Sequence, residues 1–141
     1  MRVVLDTNIL VRRVLSPSGR TAEIFRFFQQ GAFEPVVSAE ILDEYRRVLD
    51  YEDLRRRHKL SLDEIEAILR LFAPYLVVAP PIEPMCRDPD DDKFLACAAA
   101  GEADYIVSND PDLTVVGSYQ GIRIISSTVL LVLLEQEGGT G

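Results

Sequence analysis

The sequence predicts an α/β fold with a central parallel five-stranded sheet flanked by helices. Short runs rich in Val and Ile alternate with longer segments whose apolar residues recur at helical spacing. Strands that read as continuous apolar runs are typical of parallel sheets covered on both faces. A length of 141 residues suits one domain, which we assign to residues 1–137, with a flexible tail over 138–141.

Five short apolar runs predict the strands, and each is followed by a polar residue, a helix start or a turn. Val dominates the first three runs, and Ile contributes to the last two. The predicted strands are residues 3–5, 35–37, 75–79, 105–108 and 122–125.

The segments between these runs predict helices, because their apolar residues recur three and four positions apart. Ser61 and Glu64 have the spacing of a capping box, and Pro74 follows the end of the helix that they begin. The predicted helices are residues 7–15, 21–30, 39–49 with Ser38 as cap, 61–72, 90–100, and a final helix that Ser126, Ser127 or Thr128 can cap.

The net charge of −8 is the wrong sign for a protein that binds nucleic acid through its overall charge. Clustered carboxylates can still attract a divalent metal ion, and local Arg residues can still hold phosphates. The two cysteines form no disulfide framework and no signal peptide is evident, so we expect a cytoplasmic protein. The longest apolar run, TVLLVLL at 128–134, is too short to span a membrane.

Acidic residues follow two of the predicted strands at the point where each strand ends. Asp6 comes directly after the first strand, and Asp110 and Asp112 follow the fourth. Asp92 lies in the first turn of the helix that precedes the fourth strand. Because ligands bind at the carboxyl ends of strands in open parallel sheets, we expect these carboxylates to meet at one edge.

A fourth acid is predicted from the periodicity of the helix over 39–49. Glu44 lies three residues after Ile41 and four before Val48, at the border of the apolar stripe. It is therefore the acid of this helix that is best placed to reach inward.

Each acid also has an ordinary structural explanation. Asp90 and Asp91 can complement the dipole of the helix that follows, Asp88 can be a turn residue, and Asp6 can cap a helix. Several converging carboxylates would repel one another, however, and a bound divalent cation removes that cost. The combination therefore favours a metal site.

Four blocks of the sequence together resemble the PIN-domain family of metal-dependent ribonucleases, and in particular its VapC-like toxins. They are VVLDTNIL, the helical Glu44, DPDDDKFLACA and YIVSNDPDL, in this order over nearly the whole chain. The resemblance implies a Rossmann-like sheet, a Mg²⁺ or Mn²⁺ centre and hydrolysis of RNA. It also implies a cognate antitoxin as partner and a homodimer.

The resemblance also implies roles for individual residues. The catalytic acids would be Asp6, Glu44, Asp92 and Asp110, with Asp112 as the alternative fourth acid. The metal ligands would be drawn from Asp6, Asp92, Asp110 and Asp112. Supporting polar residues would be Thr7, Asn8, Ser108 and Asn109. Glu44 or Asp110 would orient or deprotonate the attacking water.

Basic residues that could hold RNA phosphates are Arg12, Arg13, Arg55 and Arg56. For any one of them, a solvated helix face is the commoner situation. The only histidine, His58, has no second histidine to act with, which argues against histidine-based ribonuclease chemistry.

Two other functions compete with a nuclease. A haloacid-dehalogenase-like phosphatase also has an Asp after the first strand, but its second Asp would fall at Asn8. A non-catalytic PIN-like scaffold that only binds a protein partner would not need all four acidic blocks, and all four are present.

Overall fold

The computed structural model describes residues 1–16 and 18–138, and its centre is a five-stranded sheet. The strands are β1 (Arg2–Leu5), β2 (Glu34–Pro35), β3 (Tyr105–Val107), β4 (Ser118–Tyr119) and β5 (Ile122–Ile125). Their order across the sheet is β2-β1-β3-β5-β4. Four strands run parallel, and β4 is antiparallel to β5. The predicted α/β class and the count of five strands are confirmed.

Helices cover the sheet. They are α1 (Thr7–Leu15), α2 (Arg20–Gln29), α3 (Ala39–Leu49), α4 (Glu52–His58), α5 (Leu62–Arg70), α6 (Asp92–Ala100), α7 (Pro111–Thr114) and α8 (Ser127–Gly138), with 3₁₀ turns at Ala73–Tyr75 and Pro89–Asp91. Within the described part of the chain, no helix is both long and apolar enough to cross a membrane. The predicted tail begins at the last residue of α8, and residues 139–141 lie outside the described residues.

The helix starts follow the caps that the sequence predicts. Ser38 accepts a hydrogen bond from the amide of Ile41 (3.3 Å), and Ser126 accepts one from the amide of Val129 (3.2 Å). At the start of α5, Ser61 and the residue three positions later make both bonds of a capping box.

One predicted strand is wrong. Residues 75–79 make only a single bridge, between Val37 and Leu76, because a 3₁₀ turn precedes them and two prolines follow. Val78 is 89% exposed, so this segment is not a buried strand. The fifth strand is β4, which a tight turn at Gln120 and Gly121 joins to β5, both residues having positive φ.

The helix α6 is buried along most of its length because most of its side chains are apolar, and many of them are small. Phe94, Leu95, Cys97 and Ala98 are fully buried. At its end, Gly101 approaches the side chain of Val36 closely. This close approach lets α6 lie directly on the sheet and fixes where its first turn emerges at the carboxyl edge.

The helix α3 is fixed to β1 by one buried tyrosine. The hydroxyl of Tyr45 donates a hydrogen bond to the carbonyl oxygen of Leu5 (2.5 Å), and its ring packs edge-on against Phe72. Burial raises the pKa of Tyr45 well above its ordinary value, so the hydroxyl remains a donor. The residue before Tyr45 is therefore held close to the end of β1.

Replacing Gly101 with alanine should destabilise the protein. The added Cβ would lie 2.3 Å from Cγ1 of Val36, so the two elements must separate. The φ of −90° allows alanine, so the cost of about 1–3 kcal/mol arises from overpacking. Urea unfolding would measure it.

The matched control is the double variant Gly101→Ala with Val36→Ala. Removing the methyl groups of Val36 makes room for the new Cβ, so the double variant should lose less stability than the sum of the two single variants, by about 1 kcal/mol. Strict additivity would contradict the proposed clash.

Candidate metal centre

Asp6 directly follows the carboxyl end of β1 and is only 5% exposed. Its amide donates to the carbonyl of Val107 on β3 (2.9 Å), and its Oδ2 accepts a hydrogen bond from Ser108 Oγ (2.6 Å). Burial raises the pKa of Asp6 to about 6, and the charges of Asp110 and Glu44 contribute in the same direction. The Ser108 bond opposes this rise.

The residues after β3 form a chain of hydrogen bonds that leads away from Asp6. Ser108 Oγ accepts from the amide of Asp110 (3.0 Å), and Asp110 Oδ1 accepts from the amide of Asp112 (2.9 Å). Asp110 thereby caps the short helix α7 and is fixed in position beside Asp6. Both acids that the sequence offered for the fourth position are therefore part of one turn.

Asp91, the last residue of the 3₁₀ turn before α6, belongs to the same group of acids. Its Oδ2 is buried and has no hydrogen-bond partner among the described residues. Burial raises the pKa of Asp91 to about 7, and the charges of Asp6, Asp110, Asp88 and Glu44 raise it further. An acid with this surrounding is well suited to bind a cation.

Three of the acids are close enough to share one ion. Asp91, Asp110 and Asp112 each offer a carboxylate oxygen, and these oxygens lie within 4.8 Å of one another. All three side chains are partly buried. The structure thus brings Asp110 and Asp112 together with Asp91.

Asp92, which the sequence analysis assigned to this position, has a different surrounding. Its Oδ1 accepts hydrogen bonds from the amides of Met85 (3.2 Å) and Cys86 (2.8 Å). These bonds hold the loop before α6 against the first turn of the helix. The geometry therefore favours Asp91 over Asp92 as the acid that faces the other carboxylates.

Glu44 reaches the same edge from α3, and it is 8% exposed. Thr7 Oγ1 donates to Glu44 Oε2, and Lys93 Nζ donates to Glu44 Oε1 (2.7 Å). The second contact of Oε1 is the exposed guanidinium of Arg47 at 3.9 Å. Both oxygens of Glu44 are therefore in use by side chains of the protein itself.

The predicted supporting residues divide into two groups. Thr7 and Ser108 contact acids of the cluster through their hydroxyls, as described above. Asn109 instead contacts Ser127, accepting from its amide (3.1 Å) and donating to its Oγ (3.0 Å), so it joins β3 to the start of α8. Asn8 is half-buried in the first turn of α1.

The predicted RNA-binding residues form two pairs, which lie on two different helices. Arg55 pairs with Asp50 at 3.3 Å, and Arg56 pairs with Glu52 at 2.6 Å on the exposed helix α4. Arg12 and Arg13 lie in the last turn of α1, where Arg13 borders an apolar groove.

The residues of the cluster fit a hard divalent cation. Such ions prefer carboxylate oxygen and water, and the shared position of Asp91, Asp110 and Asp112 offers three carboxylates. The partnerless buried oxygen of Asp91 is the specific observation in favour of a ligand, because buried polar atoms are otherwise almost always hydrogen-bonded.

Asp91 is not among the metal ligands that the sequence predicts, although a signal for its inward position is present. Asp91 lies three residues before Phe94, four before Leu95 and seven before Ala98, all of which are fully buried. The stripe of α6 that packs on the sheet thus leads back to Asp91. Asp92 lies three residues before Leu95 and four before Ala96, so the apolar pattern by itself discriminates only weakly between Asp91 and Asp92.

The metal-free protein should lose stability as the pH rises from about 4 to about 7. The folded-state pKa values of Asp6 and Asp91 lie above 3.8, so in this interval the folded protein binds more protons than the unfolded chain. Its free energy of unfolding therefore falls as these protons leave, with Asp6 contributing roughly 3 kcal/mol at most. Urea unfolding in EDTA at several pH values measures this slope.

The variant Asp6→Asn isolates the contribution of that carboxyl. Its free energy of unfolding should depend less steeply on pH over the same interval, because one of the two raised acids is gone. Equal slopes for the variant and the wild type would contradict the assignment of a raised pKa to Asp6.

Comparisons with known proteins agree with this architecture. A family model described as the PIN domain matches residues 2–112. The chain is 27% identical over 118 residues to an uncharacterised protein, MJ1680, of Methanocaldococcus jannaschii, across 80% of this chain and 73% of that protein. It also resembles the crystal structure of VapBC2 from Rickettsia felis bound to a DNA fragment from their promoter, with a TM-score of 0.58 and 13% identity.

The structural match covers 89% of this chain and 98% of the Rickettsia felis chain, and at its low identity it supports the fold alone. The family model carries more weight, since it spans β1, the helix with Glu44, and the loop with Asp110 and Asp112. The chain belongs to the PIN-domain family.

Proposed function

We propose that this protein is a metal-dependent endoribonuclease that hydrolyses phosphodiester bonds of RNA. The observation that carries the proposal is the group formed by Asp91, Asp110 and Asp112, whose oxygens lie within 4.8 Å of one another. Asp6 lies beside this group at the end of β1. Membership of the PIN-domain family supports nuclease chemistry at this site.

The cofactor would be Mg²⁺ or Mn²⁺, held by Asp91, Asp110 and Asp112 with Asp6 beside them. Such an ion polarises a phosphodiester and lowers the pKa of a bound water. The side chains of the protein supply the rest: Ser108 fixes one oxygen of Asp6, and the amide of Asp112 fixes one oxygen of Asp110. Asp6 and Asp110 would therefore face the ion in a set orientation.

Asp110 is the better of the two acids proposed to orient the attacking water. Glu44 has one oxygen bonded to Thr7 and the other to Lys93, so each of its oxygens already contacts a side chain of the protein. Asp110 has one oxygen fixed by a backbone amide and belongs to the group that would hold the ion.

We further propose that the protein is the toxin of a toxin–antitoxin pair and forms a homodimer. Support comes from the likeness to VapBC2 and from an apolar groove on the helical face. The groove is lined by Leu10, Val14, Phe25, Leu60 and Leu71, with Leu71 45% exposed. An amphipathic helix of an antitoxin would suit such a groove.

The protein should cleave RNA only when a divalent metal is present. Incubation with a panel of tRNA, ribosomal RNA fragments and unstructured oligomers in Mg²⁺ or Mn²⁺ should give products that EDTA abolishes. Asp91→Asn should reduce cleavage by about 100-fold or more, because a charged ligand is lost.

The control for this experiment is Asp63→Asn, which removes a carboxylate of the same kind from an exposed position at the start of α5. It should cleave like the wild type. Equal activity in the wild type and Asp91→Asn would show that the products come from a contaminating nuclease or from another site.

Mn²⁺ should raise the melting temperature of the wild type, and Asp91→Asn should lose most of that rise. An ion at a hundred times its Kd stabilises the folded state by about 2.7 kcal/mol. Asp92→Asn should keep the shift, because an asparagine oxygen can still accept from the amides of Met85 and Cys86. The reverse result, with the shift lost in Asp92→Asn alone, would restore Asp92 as the ligand.

A further inference from the structure

Lys93 is an internal cation that contacts the acidic cluster from α6. Its Nζ lies 2.7 Å from Glu44 Oε1 and 3.0 Å from Asp90 Oδ1. The side chain is 16% exposed, whereas Arg46, Arg55 and the other arginines in ion pairs are between 44% and 70% exposed. An ion pair this well shielded from solvent is screened less than a surface pair.

The contact between Lys93 and Glu44 joins parts of the chain that are 49 residues apart. Glu44 lies on α3, and Lys93 is the second residue of α6. A pair that links two packed helices orders side chains that the fold already holds in place, so it costs little additional conformational entropy.

Glu44 is an acid of the cluster, yet it is absent from the group that can share an ion. Its charge raises the pKa values of both Asp6 and Asp91, so it lies close to them. The three oxygens within 4.8 Å of one another nevertheless belong to Asp91, Asp110 and Asp112. Glu44 therefore forms a separate end of the cluster, and Lys93 is bound there.

A second divalent ion in this cluster would draw on Asp6 and Glu44, the two acids outside the group of three. Two-metal sites place their ions about 4 Å apart and bridge them with carboxylates, so the second ion would lie between the three-acid group and Glu44. Both oxygens of Glu44 already accept hydrogen bonds, one from Thr7 and one from Lys93. An ammonium group on Glu44 Oε1 also repels an incoming cation.

We propose that Lys93 takes the place of a second metal ion, so that the centre holds a single exchangeable divalent ion and one built-in ammonium group. This inference rests on the proposed metal-dependent function. Lys93 is a positioning residue in this arrangement: it neutralises Glu44, keeps it turned inward and presents a fixed positive charge beside the ion. The side chain of Lys93 thereby limits the centre to one divalent ion.

The test is to count bound Mn²⁺ by electron paramagnetic resonance in the wild type and in Lys93→Met. The count in Asp91→Asn is subtracted as the background of surface carboxylates. The wild type should bind about one ion. Lys93→Met should bind about two, because methionine keeps the length of the side chain and leaves Glu44 Oε1 free for a metal.

Three further variants separate the role of the charge from that of the packing. Lys93→Arg keeps a cation and should bind about one ion. The double variant Lys93→Met with Glu44→Gln removes the new ligand and should also return to about one. Arg47→Met is the matched control, since it removes an exposed cation that lies 3.9 Å from the same oxygen, and its count should equal that of the wild type.

The outcomes distinguish this inference from the proposed function. About two ions in the wild type would overturn the role of Lys93 and leave a metal-dependent nuclease intact. About one ion in a folded Lys93→Met variant would do the same. No bound ion in the wild type would overturn the metal centre itself. If Lys93→Met does not fold, Lys93→Gln is counted in its place, and about one ion in that variant would likewise overturn the role of Lys93.

Discussion

Repulsion among carboxylates at the carboxyl edge of the sheet is the constraint on which the site depends. Parallel strands bring Asp6 and Asp110 to one edge, where α3 adds Glu44 and the 3₁₀ turn before α6 adds Asp91. Burial makes each charge costly, and the neighbouring charges add to that cost. The folded scaffold must therefore be stable enough to hold acids together that would separate in a flexible chain.

The protein reduces this cost with hydrogen bonds at defined atoms. Ser108 donates to Asp6, the amide of Asp112 donates to Asp110, and Thr7 and Lys93 donate to Glu44. These bonds set the direction of each carboxylate. The one buried oxygen they leave without a partner in the described residues is on Asp91. A cation bound at Asp91 Oδ2 would therefore reduce the remaining repulsion among the carboxylates.

The sequence predicts the scaffold better than it predicts the details of the site. Strands β1, β3 and β5 appear as Val and Ile runs because they are buried on both faces, and the helical periodicity of α3 predicts that Glu44 lies near the core. Residues 75–79 have the same apolar character, yet the flanking prolines prevent the ladder from forming. Composition alone does not reveal this, because a segment becomes a strand only where a neighbouring strand lies within hydrogen-bonding distance.

The position of Asp91 illustrates a different limit. A 3₁₀ turn from Pro89 to Asp91 precedes α6, and its residues are spaced by about 120° rather than the 100° of an α-helix. A helical wheel drawn backward from α6 therefore loses its register within this turn. Three consecutive aspartates then look equivalent, and only the packing of the turn against the sheet distinguishes them. The contact of Lys93 is hidden for a different reason, because its partner Glu44 lies 49 residues away in the sequence.

The hydrogen bond from Tyr45 to the carbonyl of Leu5 has a mechanical consequence. Tyr45 follows Glu44 in the chain, and Leu5 precedes Asp6, so one bond of 2.5 Å fixes two acids of the cluster relative to each other. A displacement of α3 relative to β1 would strain this bond. Such a displacement would also change the distance between Glu44 and Asp6, because each acid is the chain neighbour of one residue in the bond.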